Sequence, residues 1–438
     1  MIPTVENLID ASVESTGAPT KPPPSAQAHT DDAVHRWYRL RLGFSDHLVA
    51  SLLEEMTVKT DQVVLDPFCG AGTTLVECKK RGIRSVGVDA NPSSCFAAGV
   101  KTNWNLSRQR VQDLLEELES RFYTQRLDTK GLIEDPTICY LKKAGLLKRG
   151  WICDQPLLEA VALKRNILRL KTSRAYRDFL TLALLSEIIE GAANIKFGPE
   201  LYCGPKRGNA EVFEGFVDRV FSMLDDIDVI GACKADATIY QGDSRDLSLV
   251  MSSKVHAIIC SPPYPAEHDY TRNSRLELAF LEEVGHRGDL QRIKKTMLRC
   301  HTKGIYAQDT DETFLGSHPM LTRIVQEIEK RAVAKTHGFA RLYGRVVKEY
   351  FGGMVRHLMS AHDVLLEGGK CAYVVGDQSA YLQVPIPTAE ILAALAVPIG
   401  FTCLGIRKWR TRWSSTTKKA IAENILLLQK QGAKPYPC

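Results

Sequence analysis

The chain has 438 residues, 44% of them apolar and 25% charged, a balance that fits a soluble globular protein with one large core or two modest ones. Its formal net charge of +6 is compatible with a nucleic-acid partner without demanding one. Twelve scattered cysteines form no Cys-x-x-Cys pair, no apolar stretch is long enough to span a bilayer, and no basic start leads into a secretory signal, so we expect a cytoplasmic protein with free thiols and no membrane partner.

Residues 1–30 are rich in Ala, Ser, Thr and Pro and read as a disordered tail. Leu48, Val49, Leu52, Leu53 and Met56 then recur at helical spacing, with Ser45 as the cap. Val63–Leu65 reads as a buried strand. It leads into Asp66-Pro67-Phe68-Cys69-Gly70-Ala71-Gly72-Thr73-Thr74, a helix to Lys80, a stop at Gly82 and a second strand over Ser85–Asp89, which together make a βαβ unit. Residues 96–235 read as a mostly helical insertion with no strand-rich run; Lys196, Lys206 and Arg207 fall on a loop there. The α/β pattern resumes with a strand over Thr238–Asp243 and another over Val255–Cys260, which runs directly into Ser261-Pro262-Pro263-Tyr264. Residues 275–365 read as helical, with Arg292, Lys294, Lys295 and Arg299 close together. A strand over Cys371–Val375 follows. Two late runs, Phe401–Gly405 and Asn424–Gln429, read as an antiparallel pair flanking the basic stretch Arg407–Trp413. The expected organisation is a tail (1–30), an α/β domain built from 31–95 and 236–432, and the helical insertion 96–235, which is a candidate for reading a nucleic-acid sequence.

A strand, a tight glycine turn and a helix start bring backbone close to a ligand. Gly70 and Gly72 supply the missing Cβ atoms. Asp89 ends the next strand, where a carboxylate can accept both hydroxyls of a ribose. A nicotinamide dinucleotide would use a similar start, but position 75 is Leu75 where its fingerprint has a third glycine. Asp66 would also sit badly beside a pyrophosphate and well beside the ammonium of an amino-acid moiety. S-adenosylmethionine has that ammonium and no phosphate. Asp243 is placed near the adenine amine of such a cofactor, or serves as a turn or cap aspartate.

In Ser261-Pro262-Pro263-Tyr264 both prolines fix their own φ, and each pushes the residue before it extended. The Ser261 hydroxyl and the Pro262 carbonyl can then accept hydrogen bonds from one exocyclic NH2. Tyr264 offers a ring face for a base, worth roughly 1–3 kcal/mol. A base amine is a poor nucleophile because its lone pair is delocalised, and two acceptors would stabilise the charge that develops on it. The sulfonium is already activated, so no metal is expected. A duplex base must first leave the stack, at a cost of about a few kcal/mol. The bland alternative is a Pro-Pro turn after a strand. His268, Asp269, Tyr270 and Arg272 follow on the same loop and either touch the base and phosphates or only solvate the loop.

These segments resemble the S-adenosylmethionine-dependent amino-methyltransferases of DNA, whose glycine segment is written Asp-Pro-Phe-x-Gly-x-Gly-Thr and whose amine motif is Asp/Asn/Ser-Pro-Pro-Tyr/Phe. The resemblance runs roughly from His35 to Gln429, is weakest across the insertion, and includes Phe44-Ser45 as a loose match to the short cofactor-carboxylate motif. It implies a Rossmann-like methyltransferase sheet with helices on both faces. It implies S-adenosylmethionine bound by Asp66, Phe68, Gly70, Gly72, Thr73 and Asp89, with Asp243 added from the reading above. It implies that Ser261, Pro262, Pro263 and Tyr264 hold the target base. The serine form of the motif is typical of enzymes acting on cytosine N4. The cofactor half comes first here, an order shared with some adenine-N6 enzymes, and tRNA guanine-N2 methyltransferases carry related motifs. The expected partner is double-stranded DNA, contacted by Tyr270, Arg272, Arg407 and Arg410, with a cognate restriction endonuclease implied by family habit. The DNA site and the oligomeric state are not written in the sequence.

Overall fold

A computed structural model describes residues 32–38, 43, 45–125, 129–197, 201–231, 235–335, 338–414 and 419–431. The expected tail and Phe44 lie outside the described residues.

Seven strands form one sheet: β1 (Val63–Asp66), β2 (Arg84–Asp89), β5 (Ala237–Gln241), β6 (Val255–Cys260), β7 (Leu365–Gly376), β8 (Phe401–Ser414) and β9 (Lys419–Lys430). Their order is β5-β2-β1-β6-β7-β9-β8. The first five run parallel, and β9 and β8 close the edge antiparallel. Strands buried on both faces should be apolar, and the central stretches Val64–Leu65, Ala257–Cys260 and Cys371–Val375 are. Val64, Ala257, Ile259, Ala372, Val374 and Ile425 pack against the helix Asp46–Glu55 on one face. Their alternating neighbours Leu65, Ile258, Cys371, Tyr373, Val375 and Leu426 pack against the long helix Tyr343–Val364 on the other. The α/β class with helices on both faces is therefore as expected.

The chain builds β1, β2 and β5 outward in one direction, then returns to lay β6 beside β1 and builds the other way. The carboxyl ends of β1 and β6 thus flank the point where strand order reverses, the usual ligand crevice of an open α/β sheet.

Residues 96–235 are mostly helical, with helices Arg108–Gln125, Pro136–Lys143, Asp154–Leu168, Arg174–Glu187 and Val212–Ile230 around an apolar cluster that also takes in Trp37, Ala71, Val76, Leu276 and Phe280 from outside this region. They also contain a small hairpin, β3 (Ile195–Phe197) with β4 (Leu201–Cys203). Strands of three residues are too short to show an alternating pattern, which is why the sequence reading found none. A second difference lies at the carboxyl end. The basic stretch Arg407–Trp413 does not bridge two short strands; it lies inside β8, which pairs with β9 almost end to end.

The segment 32–38 ties these parts together. The Asp226 carboxylate, on the helix Val212–Ile230, accepts from the Val34 N–H at 2.8 Å, the Trp37 Nε1–H at 2.9 Å and the Arg36 guanidinium. His35 Nε2 meets Glu77 Oε1 at 2.9 Å, on the helix Thr73–Lys80. The Tyr38 hydroxyl donates to Glu277 at 2.7 Å, beside the crevice. Among the described residues no helix is long and apolar enough to cross a membrane.

Candidate active site

The loop after β1 takes its shape from two glycines in the left-handed region, Gly70 at φ 51° and Gly72 at φ 84°. At Gly72 a Cβ would also press to 3.1 Å from Ala98. Asp89 holds the loop: its carboxylate accepts from the Gly70 N–H at 2.9 Å and the Asn91 N–H at 2.8 Å. Asn91 caps the next helix and donates through Nδ2 to Ser274 Oγ at 2.9 Å, tying the loop to the segment after β6. Asp66 lies beneath the loop, 1% exposed, accepting from Thr74 Oγ1 at 2.6 Å and the Phe68 N–H at 3.0 Å.

Burial pushes both carboxyls up, Asp66 to about 7 and Asp89 to about 6, against the hydrogen bonds that favour their charged forms. Among the described residues no cation pairs with either. Pro67, Phe68, Gly70, Ala71, Thr73 and Asp89 line this end of the crevice, and none of them is basic. A phosphate would find no cation here, whereas a cationic nucleoside would meet the Asp89 carboxylate; Asp66 and Gly72, expected at the cofactor, do not line the crevice, and Asp66 acts only from beneath the loop. The residues present therefore fit S-adenosylmethionine.

Phe68 rests its ring edge-on against His357, 4.8 Å between centroids. His357 Nδ1–H donates to the Ser244 carbonyl at 2.8 Å, which leaves Nε2 to accept from the Tyr373 hydroxyl at 2.9 Å. Burial lowers this imidazole to about 4, so it stays neutral at physiological pH. Ser244 faces the crevice, and its neighbour Asp243 does not. Asp243 accepts from the Arg245 backbone N–H at 2.9 Å and from the Arg245 guanidinium at 2.6 Å, as a turn aspartate does.

Ser261, Pro262, Pro263 and Tyr264 form the facing wall of the same crevice, about 240 Å³ in volume. The Ser261 hydroxyl donates to the Val374 carbonyl of β7 at 3.1 Å. A hydroxyl whose proton is committed in this way presents only lone pairs to what enters. Tyr264 is fixed at its far end, its hydroxyl donating to Glu423 Oε1 at 2.8 Å and lying 3.3 Å from Ser261 Oγ. Glu423, on β9, is 5% exposed and is held in turn by Arg410. Burial, then the adjacent Glu423 charge, hold the Tyr264 phenol well above its ordinary range. The Arg412 guanidinium stands over the Tyr264 ring, 5.5 Å from its centre.

The candidate DNA residues fall into two groups. Tyr270 and Arg410 line the crevice. Arg272 and Arg407 do not: Arg272 donates to the Leu201 carbonyl of β4 at 3.3 Å, and Arg407 pairs with Glu55 at 2.7 Å on the outer surface. His268 lines the crevice, while Asp269 is bonded to Lys294 at 2.6 Å. The basic cluster around 292–299 is largely neutralised, since Arg292 pairs with Asp289 and Arg299 with Asp309 as Lys294 does with Asp269. Sequence reasoning missed Glu423, Arg412, Asn91, Ser244 and Tyr38. Glu423 was out of reach of the sequence: it comes opposite Arg410 only because β8 bulges between Cys403 and Gly405 and again between Lys408 and Arg410.

Residues 42–98 match the model of a family described as DNA methylase. The Type II methyltransferase M.AvaI of Nostoc sp. is 25% identical over 412 residues, 86% of this chain and 81% of that protein. The Type II methyltransferase M.BsoBI of Geobacillus stearothermophilus is 27% identical over 276 residues, 59% of this chain and 54% of that one. Overlap with solved structures is loose: TrmN from Thermus thermophilus aligns over 90% of this chain and 52% of its own at 10% identity and a TM-score of 0.32, so the fold stands on the strand order itself.

Proposed function

For a chain that belongs to the S-adenosylmethionine-dependent amino-methyltransferases of DNA, we propose that the acceptor is the N4 amine of cytosine, at a specific site in duplex DNA. The observation that carries this reading is the Ser261 hydroxyl. Its proton is spent on Val374, so it faces the crevice as an acceptor, across from the glycine loop.

The mechanism follows from these groups. Bound S-adenosylmethionine supplies an electrophilic methyl carbon. Asp89 would hold the ribose hydroxyls, and Asp66, once ionised, would favour the cation from beneath the loop. Ser261 Oγ and the Pro262 carbonyl accept the two N–H bonds of the cytosine amine, drawing the nitrogen toward pyramidal geometry and stabilising its growing positive charge. Tyr264, locked by Glu423, gives the base a fixed ring to lie against. Fixing the nitrogen between these acceptors, facing the cofactor end of the crevice, would supply the remaining acceleration. As Ser261 Oγ takes up the proton shed by nitrogen, its own proton swings from the Val374 carbonyl to the Tyr264 oxygen 3.3 Å away, and the Tyr264 proton passes to Glu423. The helical region 96–235 and the face around Tyr270 and Arg410 are proposed to meet the duplex. A cognate endonuclease, with this chain as the protecting partner in the cytoplasm, completes the proposal.

Incubating purified protein with duplex DNA and labelled S-adenosylmethionine, then digesting the DNA to nucleosides for mass analysis, tests this. The expected product is 4-methylcytosine. Recovery of 6-methyladenine in its place overturns the choice of base.

A further inference from the structure

The sequence places three arginines along β8, and they differ in what holds them. Arg407 pairs with Glu55, and Arg410 with Glu423. Arg412 has no such tie: among the described residues no carboxylate or carbonyl pairs with its guanidinium, and its Nε is sealed from water without an acceptor. A buried donor left unmade is costly, so it marks a place where an acceptor is expected to arrive. Arg412 lines the crevice beside the amine-binding wall, over the ring whose hydroxyl touches Ser261. Gly376 makes room for this arrangement, since a Cβ there would fall 3.0 Å from Tyr264 and 3.2 Å from Arg412 Nη2.

We infer that Arg412 is a specificity-determining residue that reads the hydrogen-bonding edge of the extruded base; this rests on the cytosine reading above. With the cytosine amine held by Ser261 and Pro262, the next groups along that edge are N3 and O2, both acceptors. A guanidinium offers parallel N–H donors in a rigid fork and satisfies such a pair at once. Adenine presents N1 beside its amine and then a C–H, so half of the fork faces nothing that accepts. The structure thus selects cytosine by more than the serine of its amine motif. A phosphate oxygen of the same nucleotide could meet the same donors, and the test separates the two.

The test compares the full chain with Arg412→Met and Arg412→Lys on duplexes carrying the genomically mapped target, measuring kcat/KM, cofactor Kd and melting temperature. We expect kcat/KM to fall about 10- to 100-fold in both variants, because lysine keeps the charge but not the fork. Cofactor Kd and melting temperature stay near wild type. Replacing the target with 3-deazacytosine, which keeps the amine and loses the N3 acceptor, costs the wild type at least tenfold and Arg412→Met little more. A neutral methylphosphonate at the target nucleotide costs wild type and Arg412→Met the same factor. Unchanged kcat/KM in Arg412→Met overturns the inference. So does full activity in Arg412→Lys, or a methylphosphonate penalty that vanishes in Arg412→Met, which assigns the arginine to phosphate. If neither variant folds, the wild type's response to 3-deazacytosine decides, and a loss below threefold overturns the inference. A wild type that makes no 4-methylcytosine instead overturns the reading beneath it, and no variant is needed to see that.

Discussion

The two walls of the crevice are held in opposite ways. The cofactor wall holds its two carboxylates from within, with outward ties from Asn91 to Ser274, Phe68 to His357 and Thr74 to the Ile259 carbonyl. Asp66 bonds to Phe68 and Thr74, and Asp89 to Gly70 and Asn91, all within one strand-helix-strand unit. The base wall is held from afar. Ser261 leans on Val374, and Tyr264 on Glu423, which is 159 residues away in the chain and itself braced by Arg410. The first wall depends mostly on contacts close in sequence and places Asp89 where a cation will come. The second exists only when the late hairpin has docked. Damage to the first should show in cofactor affinity, and damage to the second in the methyl-transfer step.

The sharpest way to break this division is Ser261→Ala together with Tyr264→Ala, made singly. Each should lower kcat by about two to three orders of magnitude, as removal of one preorganised hydrogen-bonding group does elsewhere, while cofactor Kd measured by calorimetry stays within twofold. A matching loss of cofactor binding would show that the walls are not separable. Asp89→Asn should do the reverse. Losing a charge-assisted acceptor of about 1.5–3 kcal/mol weakens cofactor binding by about 10- to 100-fold, with kcat at saturating cofactor largely kept. The smallest effect is that of pH. Asp66 and Asp89 titrate in the cofactor-free protein near 7 and 6, above the ordinary carboxylate range. Their raised values mean that the folded, empty protein is favoured when they are protonated, and that this contribution is lost as pH rises through 6 to 7. A bound cation needs them ionised. Cofactor affinity should therefore fall about twentyfold from pH 8 to pH 6, and the rise in melting temperature on adding cofactor should be larger at pH 8. A rise that is flat across this range would exclude the two carboxylates from cofactor binding.

The same contrast explains what the sequence made visible. The cofactor wall was legible because its devices are local and chemically odd: left-handed glycines, an aspartate before the turn and another at the next strand end. Ser261-Pro262-Pro263-Tyr264 was legible for the same reason, since prolines dictate their own backbone. The parallel strands could be read from short apolar runs, although β7 extends well before Cys371. Glu423 and Arg412 were hidden because their role depends on register across a hairpin and on packing against a loop more than a hundred residues earlier. Arg272 and Arg407 looked like DNA contacts because charge is visible in a sequence while the carbonyl or carboxylate that absorbs it is not.

The site is a matter of adjacency in the sheet, not of succession along the chain. β1 and β6 lie side by side, and each delivers its loop without help from the order in which the ribosome made them. A gene that began with the β5–β9 half and encoded the β1–β2 half afterwards would restore the same pair of loops facing each other. A permuted chain of this kind should therefore keep the same crevice, since what the site needs is β1 and β6 side by side.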